Sequence, residues 1–314
     1  MLNPAKSLLR RILRRPPLGP PTSAESRLIN ELRATMASLP PAFPEARSES
    51  ERAWAKRCNE LRSRIQNDDP REFLEWTLWT GFTRWGNAAE LQMLKREPDW
   101  RTYWRPAIAD GGFGKPQRFL RHPWTSGPTV HQACVLLTLV KVLRQRPDQL
   151  QLIFEFGGGY GSLCRLIHVL GFRGIYILLD LPDFGAMQTF YLKGHGIPVH
   201  RELPAEGNLQ PGVYVVSDVA LLPGIIKGSI LSSWFLSIMG ITDTSLAFRQ
   251  RFAPLLPSFE ALFFLHQAQF CEVDNFKYIE ELRAQMPEHQ WTSSVYENSR
   301  DAYVSAASKG AIKP

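Results

Sequence analysis

The sequence has little that would place it across a membrane, in an oxidising compartment or on a metal. No stretch of its 314 residues approaches the roughly 20 apolar residues that span a bilayer. The most apolar stretch, Cys134–Val140, is seven residues long and is interrupted by Thr138. The opening MLNPAKSLLRRILRRPP holds too short an apolar run for a secretory signal. The four cysteines, Cys58, Cys134, Cys164 and Cys271, show no CxxC spacing. That excludes a zinc ribbon or a disulfide framework and implies reduced, buried thiols in the cytoplasm. No His/Asp/Glu cluster has metal-ligand spacing, so no metal is expected. A strong overall charge is missing too. The net charge is +7, but Lys6, Arg10, Arg11, Arg14 and Arg15 supply five of these, which leaves +2 for the rest. A body so close to neutral does not suggest a nucleic-acid partner. Residues 1–21 read as a basic tail. Its arginines could touch an anionic membrane surface weakly, but a solvated tail is the plainer reading.

What is present divides in two. Residues 22–128 read as a helical subdomain followed by an aromatic loop. Capping-box patterns at Thr22/Glu25, Ser48/Glu51 and Asn87/Glu90 open three helices. Asp69-Pro70 opens another, carrying Phe73, Trp76 and Trp79 and stopping near Gly81. Residues 98–128, rich in Trp, Tyr, Arg, Gly and Pro, show no period and are too long for a plain connection. A buried helix is expected over Thr129–Arg146, ended by Pro147. Residues 129–314 form the second part. From Leu150 onward, strands QLIFEF, IYILLD, VYVVSD, ILSSWFLS and ALFFLH alternate with helical stretches. A short strand is expected near Val199, one helix over DTSLAFRQRFAPLL, and two late strand segments near Trp291–Tyr296 and Ala302–Ser305. Such alternation predicts an α/β fold with a doubly wound, Rossmann-like sheet.

The first of these strands runs into FEFGGGYG, with Glu155 followed by Gly157, Gly159 and Gly161, and Asp180 closes the second. Glycines that admit a ligand to the backbone, and a carboxylate ending the next strand for a ribose diol, are a grip for a nucleoside-bearing cofactor. The dinucleotide pattern G-x-G-x-x-G is not met, because Ser162 or Leu163 stands where the third glycine belongs. Glu155 would repel a pyrophosphate but would suit a cationic ligand. S-adenosylmethionine carries an ammonium and a sulfonium and no phosphate.

The run FEFGGGYGSLCRLIHVLGFRGIYILLDLP resembles the first motif and second strand of class I S-adenosylmethionine-dependent methyltransferases. More narrowly, residues 70–305 resemble a family of sugar O-methyltransferases from bacterial polysaccharide and glycan-modification clusters. The motifs carrying that likeness are E-x-GGGYG, Asp180-Leu181-Pro182, the W-x-L-S stretch Trp234–Ser237, and Asp274-Asn275 with Tyr278. The chain departs from the pattern at Ile238, where an acid usually follows. The resemblance implies a methyltransferase sheet and a cofactor site of Glu155, Gly157, Gly159, Gly161 and Asp180. It also implies Asp218 at the adenine, or capping the next turn, and Trp234 near the methionine end or packed as a core aromatic. The activity it implies is methyl transfer to a sugar or glycan hydroxyl.

A hydroxyl is a weak nucleophile and needs a base within reach. His266, at the end of ALFFLH, is the first candidate; His122 and Asp243 are its rivals. His131 and His168 fall inside predicted helices, where packing is the simpler role. Tyr103, His122, Trp124 and Asp243 are the expected acceptor contacts, with Trp100, Trp104 and Arg105 in the same loop, since aromatic faces cover sugar rings and arginines bond hydroxyls. The same aromatics could simply pack the helices on the sheet. Other readings stay open: O-methylation of a non-sugar small molecule, an NAD(P)-dependent oxidoreductase, or a methyltransferase-like scaffold without turnover.

Overall fold

The computed structural model describes residues 16–80, 86–200, 209–226, 230–297, 299 and 301–310. The basic residues Lys6 to Arg15, read as a solvated tail that could touch a membrane surface weakly, lie outside them. Among the described residues no helix is long and apolar enough to cross a membrane.

All three capping boxes form. Thr22 caps α1 (Ser23–Ser38), Ser48 caps α2 (Glu49–Asn67) and Asn87 caps α3 (Ala88–Arg96), each with the glutamate three residues on bonding back. The helix expected after Asp69-Pro70 is instead two short pieces, Pro70–Glu75 and Thr77–Thr80, parted at Trp76, whose backbone is extended. This break lets Phe73, Trp76 and Trp79 all turn into the core. The stretch 98–128 is also not structureless. It holds a wide helical turn (Trp100–Trp104), a short helix (Arg105–Ala107) and a hairpin pairing Arg118–Phe119 with His122–Ser126. Burial of Trp104, Ala107 and Ile108 organises it, without any sequence period. The helix expected over Thr129–Arg146 starts and ends a little earlier as α4 (Gly127–Leu143), closed by Arg144 at φ 52.

The sheet follows in chain order. β1 (Leu152–Phe156) leads through α5 (Ser162–Val169) to β2 (Ile175–Leu179), and α6 (Pro182–Gly194) leads on to β3 (Gly212–Val216). Then come β4 (Ile230–Ile238), α7 (Leu246–Phe252), β5 (Phe259–His266), α8 (Asn275–Gln285), β6 (Gln290–Val295) and β7 (Tyr303–Ser308). The helix expected through residue 256 ends at Phe252, where Pro254 and Pro257 remove backbone donors and a tighter turn takes over.

Across the sheet the order is β6-β7-β5-β4-β1-β2-β3, with the two-residue strand Val199–His200 at the far edge. β1 to β5 are parallel, and β7 runs antiparallel between β5 and β6. Strand side chains alternate between two apolar layers. One layer, with Ile153, Leu236 and Phe263, packs under α4, α5, α6 and the N-terminal helices. The other, with Phe154, Phe235 and Leu262, packs under α7 and α8. This is the doubly wound α/β sheet expected from the alternation. The N-terminal helices share the first layer's core, and Arg62 of α2 forms a forked ion pair with the buried Asp183 of α6.

Candidate functional site

In an open parallel sheet, the carboxyl ends of the strands and the point where strand order reverses form a natural crevice. Here β1 is that point, with β2 on one side and β4 on the other. A cavity of about 1190 Å³ opens above it. A single small-ligand site takes roughly 300–1,000 Å³, so the space suits two molecules side by side.

The glycine loop forms its floor. Gly157 has φ 74, and a Cβ there would stand 2.7 Å from the Gly240 Cα. Gly159 has φ 59 with nothing within 4 Å of its Cβ position, so this stretch of backbone is open to a ligand. Gly161, at φ 92, starts α5. Glu155, the penultimate residue of β1, is buried and accepts the Tyr176 hydroxyl at 2.6 Å. Burial pushes its carboxyl up to about 7, with Asp180 adding to the rise and Tyr176 opposing it. Asp180, half-buried just past β2, accepts the Leu181 N–H at 2.8 Å and the Gln188 amide at 2.7 Å. Desolvation likewise raises its carboxyl to about 7, against these donors. The same Gln188 amide reaches the Gly159 carbonyl at 3.1 Å, tying α6 to both the loop and the carboxylate. Glu155, Gly157, Gly159 and Asp180 all face the cavity; Gly161 stands behind them, against Leu192.

The opposite wall comes from elsewhere in the chain. α2 contributes Trp54 and Arg57, α4 contributes Pro128, His131 and Gln132, and the segment after β4 contributes Met239, Gly240 and Asp243 to Ser245. Asp243 belongs to that segment and accepts Gln267 Nε2 at 3.3 Å, while its carbonyl accepts the Trp54 indole N–H at 2.7 Å. Arg57 loses basicity through burial, partly restored by Asp243. Beneath, the fully buried Arg249 donates to the carbonyls of Thr242 and Thr244 and to Asn275 Oδ1, and its guanidinium lies 4.9 Å from the Tyr278 ring. Asn275 in turn donates to the Gln267 carbonyl at 3.0 Å. The Asn275–Tyr278 motif therefore braces the loop that carries Asp243.

Several expected site residues stand elsewhere. His266 is fully buried on the far side of β5, with Nδ1 against the Gln267 carbonyl and Nε2 against Ser305 Oγ. It does not line the cavity, so it is not placed to take a proton there. Strand parity is the reason: Leu265 faces the cavity and His266 the other layer. Trp234 is fully buried in mid-strand opposite Ile153, and its indole donates to Gln145 just past α4. It packs the core, the alternative foreseen for it, and does not line the cavity. The exposed Asp218 takes the alternative role foreseen for it, capping the turn after β3 by accepting from Ala220 N. The aromatic loop is not a wall of the cavity either. Tyr103 lies beneath the Arg146 guanidinium at 4.5 Å, His122 packs on Trp100, and Trp124 is 66% exposed.

Sequence reasoning missed the pair His131–Glu90. His131 lines the cavity, and its Nδ1 lies 2.7 Å from Glu90 Oε1. Its place inside an apolar helix hid it. The available signal was Glu90, an acid otherwise read only as a helix cap. The cysteines are all free, three buried and Cys271 half-buried at the cavity rim. One group among the described residues, Glu49, Cys271 and Glu272, brings three ligand atoms within 4.8 Å of one another.

No protein-family model matches the sequence, and no curated protein matches it. Several solved structures align with part of the chain. The magnesium protoporphyrin IX methyltransferase of Synechocystis, solved with bound S-adenosylmethionine, aligns at 12% identity and TM-score 0.39, over 57% of this chain and 80% of that one. A methyltransferase from Pyrococcus furiosus aligns at 11% identity and TM-score 0.39, over 66% and 95%. Fibrillarin from Aeropyrum pernix, with natively bound S-adenosylmethionine, aligns at 10% identity and TM-score 0.37, over 54% and 71%.

Proposed function

We propose that this chain is an S-adenosylmethionine-dependent O-methyltransferase acting on a hydroxyl of a sugar or glycan. The observation that carries the cofactor half is the pair Glu155 and Asp180. They end adjacent strands and face one cavity across the open backbone of Gly159. Glu155 there disfavours a pyrophosphate and so argues against NAD(P), whereas the pair suits an ammonium and a ribose diol. The residues present thus fit the cofactor. Glu155 would hold the ammonium end, the loop N–H groups the carboxylate, and Asp180 the ribose hydroxyls. When bound, the cofactor supplies an activated methyl group on sulfur. The protein supplies alignment, exclusion of water and a place for the acceptor's proton.

The acceptor half rests on the cavity's volume and its second wall. Trp54 and Phe248 offer aromatic faces to the C–H side of a sugar ring, and Asp243 and Arg57 offer polar contacts to its hydroxyls. Ile238 also lines this wall, so no acid follows the W-x-L-S stretch and the base must come from another element. A second reading, a hydroxyl on an apolar or phenolic molecule, is favoured by the largely apolar rim at Phe43, Met239 and Phe270.

Thermal stabilisation by S-adenosylhomocysteine and by NAD at matched concentrations tests the cofactor, since a ligand of the native state alone raises apparent stability. A shift with NAD and none with S-adenosylhomocysteine refutes the proposal. Methyl-labelled S-adenosylmethionine with nucleotide-linked sugars, alkyl glycosides and phenols then separates the two acceptor readings.

A further inference from the structure

We propose that His131 is the general base of this site and that Glu90 sets its tautomer. This rests on the methyl-transfer reading and names the proton acceptor that reading leaves open. His131 stands in the first turns of α4 and lines the cavity. Its Nδ1 meets Oε1 of Glu90 at 2.7 Å. Glu90 is 1% exposed and fully engaged: Oε1 also accepts the Tyr296 hydroxyl at 3.2 Å, and Oε2 accepts the Asn87 N–H at 3.0 Å. An ionised carboxylate only accepts hydrogen bonds. The hydrogen of a neutral His131 therefore belongs on Nδ1, and Nε2 keeps its lone pair. A buried acid that pins one ring nitrogen and frees the other is the arrangement that makes an imidazole a base. The imidazolium formed on proton uptake would rest against the Glu90 charge.

A second observation points to a hydroxylated acceptor on the same wall. Gln132, the next residue of α4, also lines the cavity, and its Oε1 is buried with no hydrogen-bond partner among the described residues. Such an acceptor costs free energy until a donor arrives. A molecule with neighbouring hydroxyls can give one hydrogen to His131 Nε2 and another to Gln132 Oε1. In the transfer, the acceptor oxygen forms its bond to the methyl carbon. The carbon–sulfur bond of the sulfonium breaks, sulfur keeps the bonding pair, and the hydroxyl proton passes to His131 Nε2. His266 has no comparable freedom, because both its nitrogens are occupied outside the cavity.

Nitrogen-15 NMR of the full chain labelled at histidine reads the tautomer without any acceptor. The expected result is the hydrogen on His131 Nδ1 in the wild type and a redistribution between the two nitrogens in Glu90→Gln. Calorimetry adds a second readout: His131→Asn binds S-adenosylhomocysteine within about twofold of the wild type. With an alkyl glycoside that the wild type methylates, the same variant loses about 100-fold or more in rate, the usual worth of a positioned base. An Nε2-protonated His131 in the wild type overturns the proposal. So does a His131→Asn variant that keeps its rate, or one that loses S-adenosylhomocysteine. A wild type that fails to bind S-adenosylhomocysteine overturns the methyl-transfer reading itself, a result separate from the tautomer.

Discussion

The Tyr176 hydroxyl donates to Glu155 Oε2 at 2.6 Å, from the neighbouring strand and on the same face of the sheet. Both side chains are buried, and among the described residues no other hydrogen bond reaches the Glu155 carboxylate. Tyr176→Phe keeps the ring and removes the donor. Glu155 then sits unpaired, and its carboxyl rises beyond the value of about 7 it already has. A buried acceptor left unsatisfied costs about 1–3 kcal/mol. Denaturant unfolding above pH 7 should show that loss, and S-adenosylhomocysteine should bind more weakly at neutral pH than it does to the wild type.

Glu155 and Asp180 also make ligand binding pH-dependent. Both folded carboxyls lie near 7, above the usual carboxylate range. The free protein holds protons that the unfolded chain has already released. Its stability from these groups is therefore full at acid pH and is lost as pH rises through about 7. A ligand bearing an ammonium needs the ionised forms, so its affinity runs the other way. Affinity for S-adenosylhomocysteine should fall by up to about tenfold per pH unit for each carboxyl below pH 7 and level off above it. Calorimetry between pH 5.5 and pH 8.5 checks this (a range chosen to bracket about 7). A flat profile would show that neither carboxyl changes ionisation on binding.

The central strands were legible because they are largely buried on both faces and read as short apolar runs, and the three N-terminal helices because their caps are local chemistry. The glycine loop was legible for the same reason, since Glu155 and the glycines are neighbours in sequence. The rest of the site depends on where distant side chains meet. Glu90 and His131 are brought together by the packing of α3 on α4, which no spacing announces. Trp234 takes its core-aromatic reading because it sits in mid-strand, and His266 turns from the cavity because a strand's side chains alternate with a two-residue period. The aromatics of 98–128 took their packing reading because burial of Trp104 and Ile108, and stacking among neighbours, uses that surface internally.

That packing reading has a direct consequence. Trp124→Ala and Tyr103→Phe should leave the saturation of a methyl acceptor unchanged, since neither residue lines the cavity. Trp54→Ala, by contrast, removes a cavity wall and the indole donor to the Asp243 carbonyl. It should raise the acceptor KM while leaving S-adenosylhomocysteine affinity nearly intact. Steady-state kinetics on the three variants separates the two surfaces, and a raised KM in Trp124→Ala would return the aromatic loop to the site.

Arg249 is a positioning residue for the Asp243 loop. Its guanidinium is fully buried and holds two carbonyls and Asn275. Arg249→Met leaves those acceptors without donors, at a cost of about 3 kcal/mol for a broken buried polar network. Arg249→Lys keeps a charge but cannot bond three separated oxygens at once. Both variants should unfold at lower denaturant, and hydrogen exchange should rise first at residues 241–245. Equal protection there in variant and wild type would show that the loop is held by other contacts.

Two glycines of one loop should respond differently to the same methyl group. Gly157 and Gly159 both sit at positive φ, which costs an L residue about 1 kcal/mol. At Gly157 the added Cβ also meets the Gly240 backbone at 2.7 Å, where no flexible side chain can yield. Gly157→Ala should therefore part the ends of β1 and β4 and cost clearly more than the conformational term alone. At Gly159 the Cβ meets nothing within 4 Å, because the space is the cavity itself. Gly159→Ala should keep most of its stability and lose affinity, by about tenfold or more if the ligand lies against that backbone. Paired melting curves and S-adenosylhomocysteine titrations read both quantities. A Gly159→Ala variant that melts a few degrees lower yet binds like the wild type would place the ligand elsewhere in the cavity, away from the loop that Glu155 and Asp180 flank.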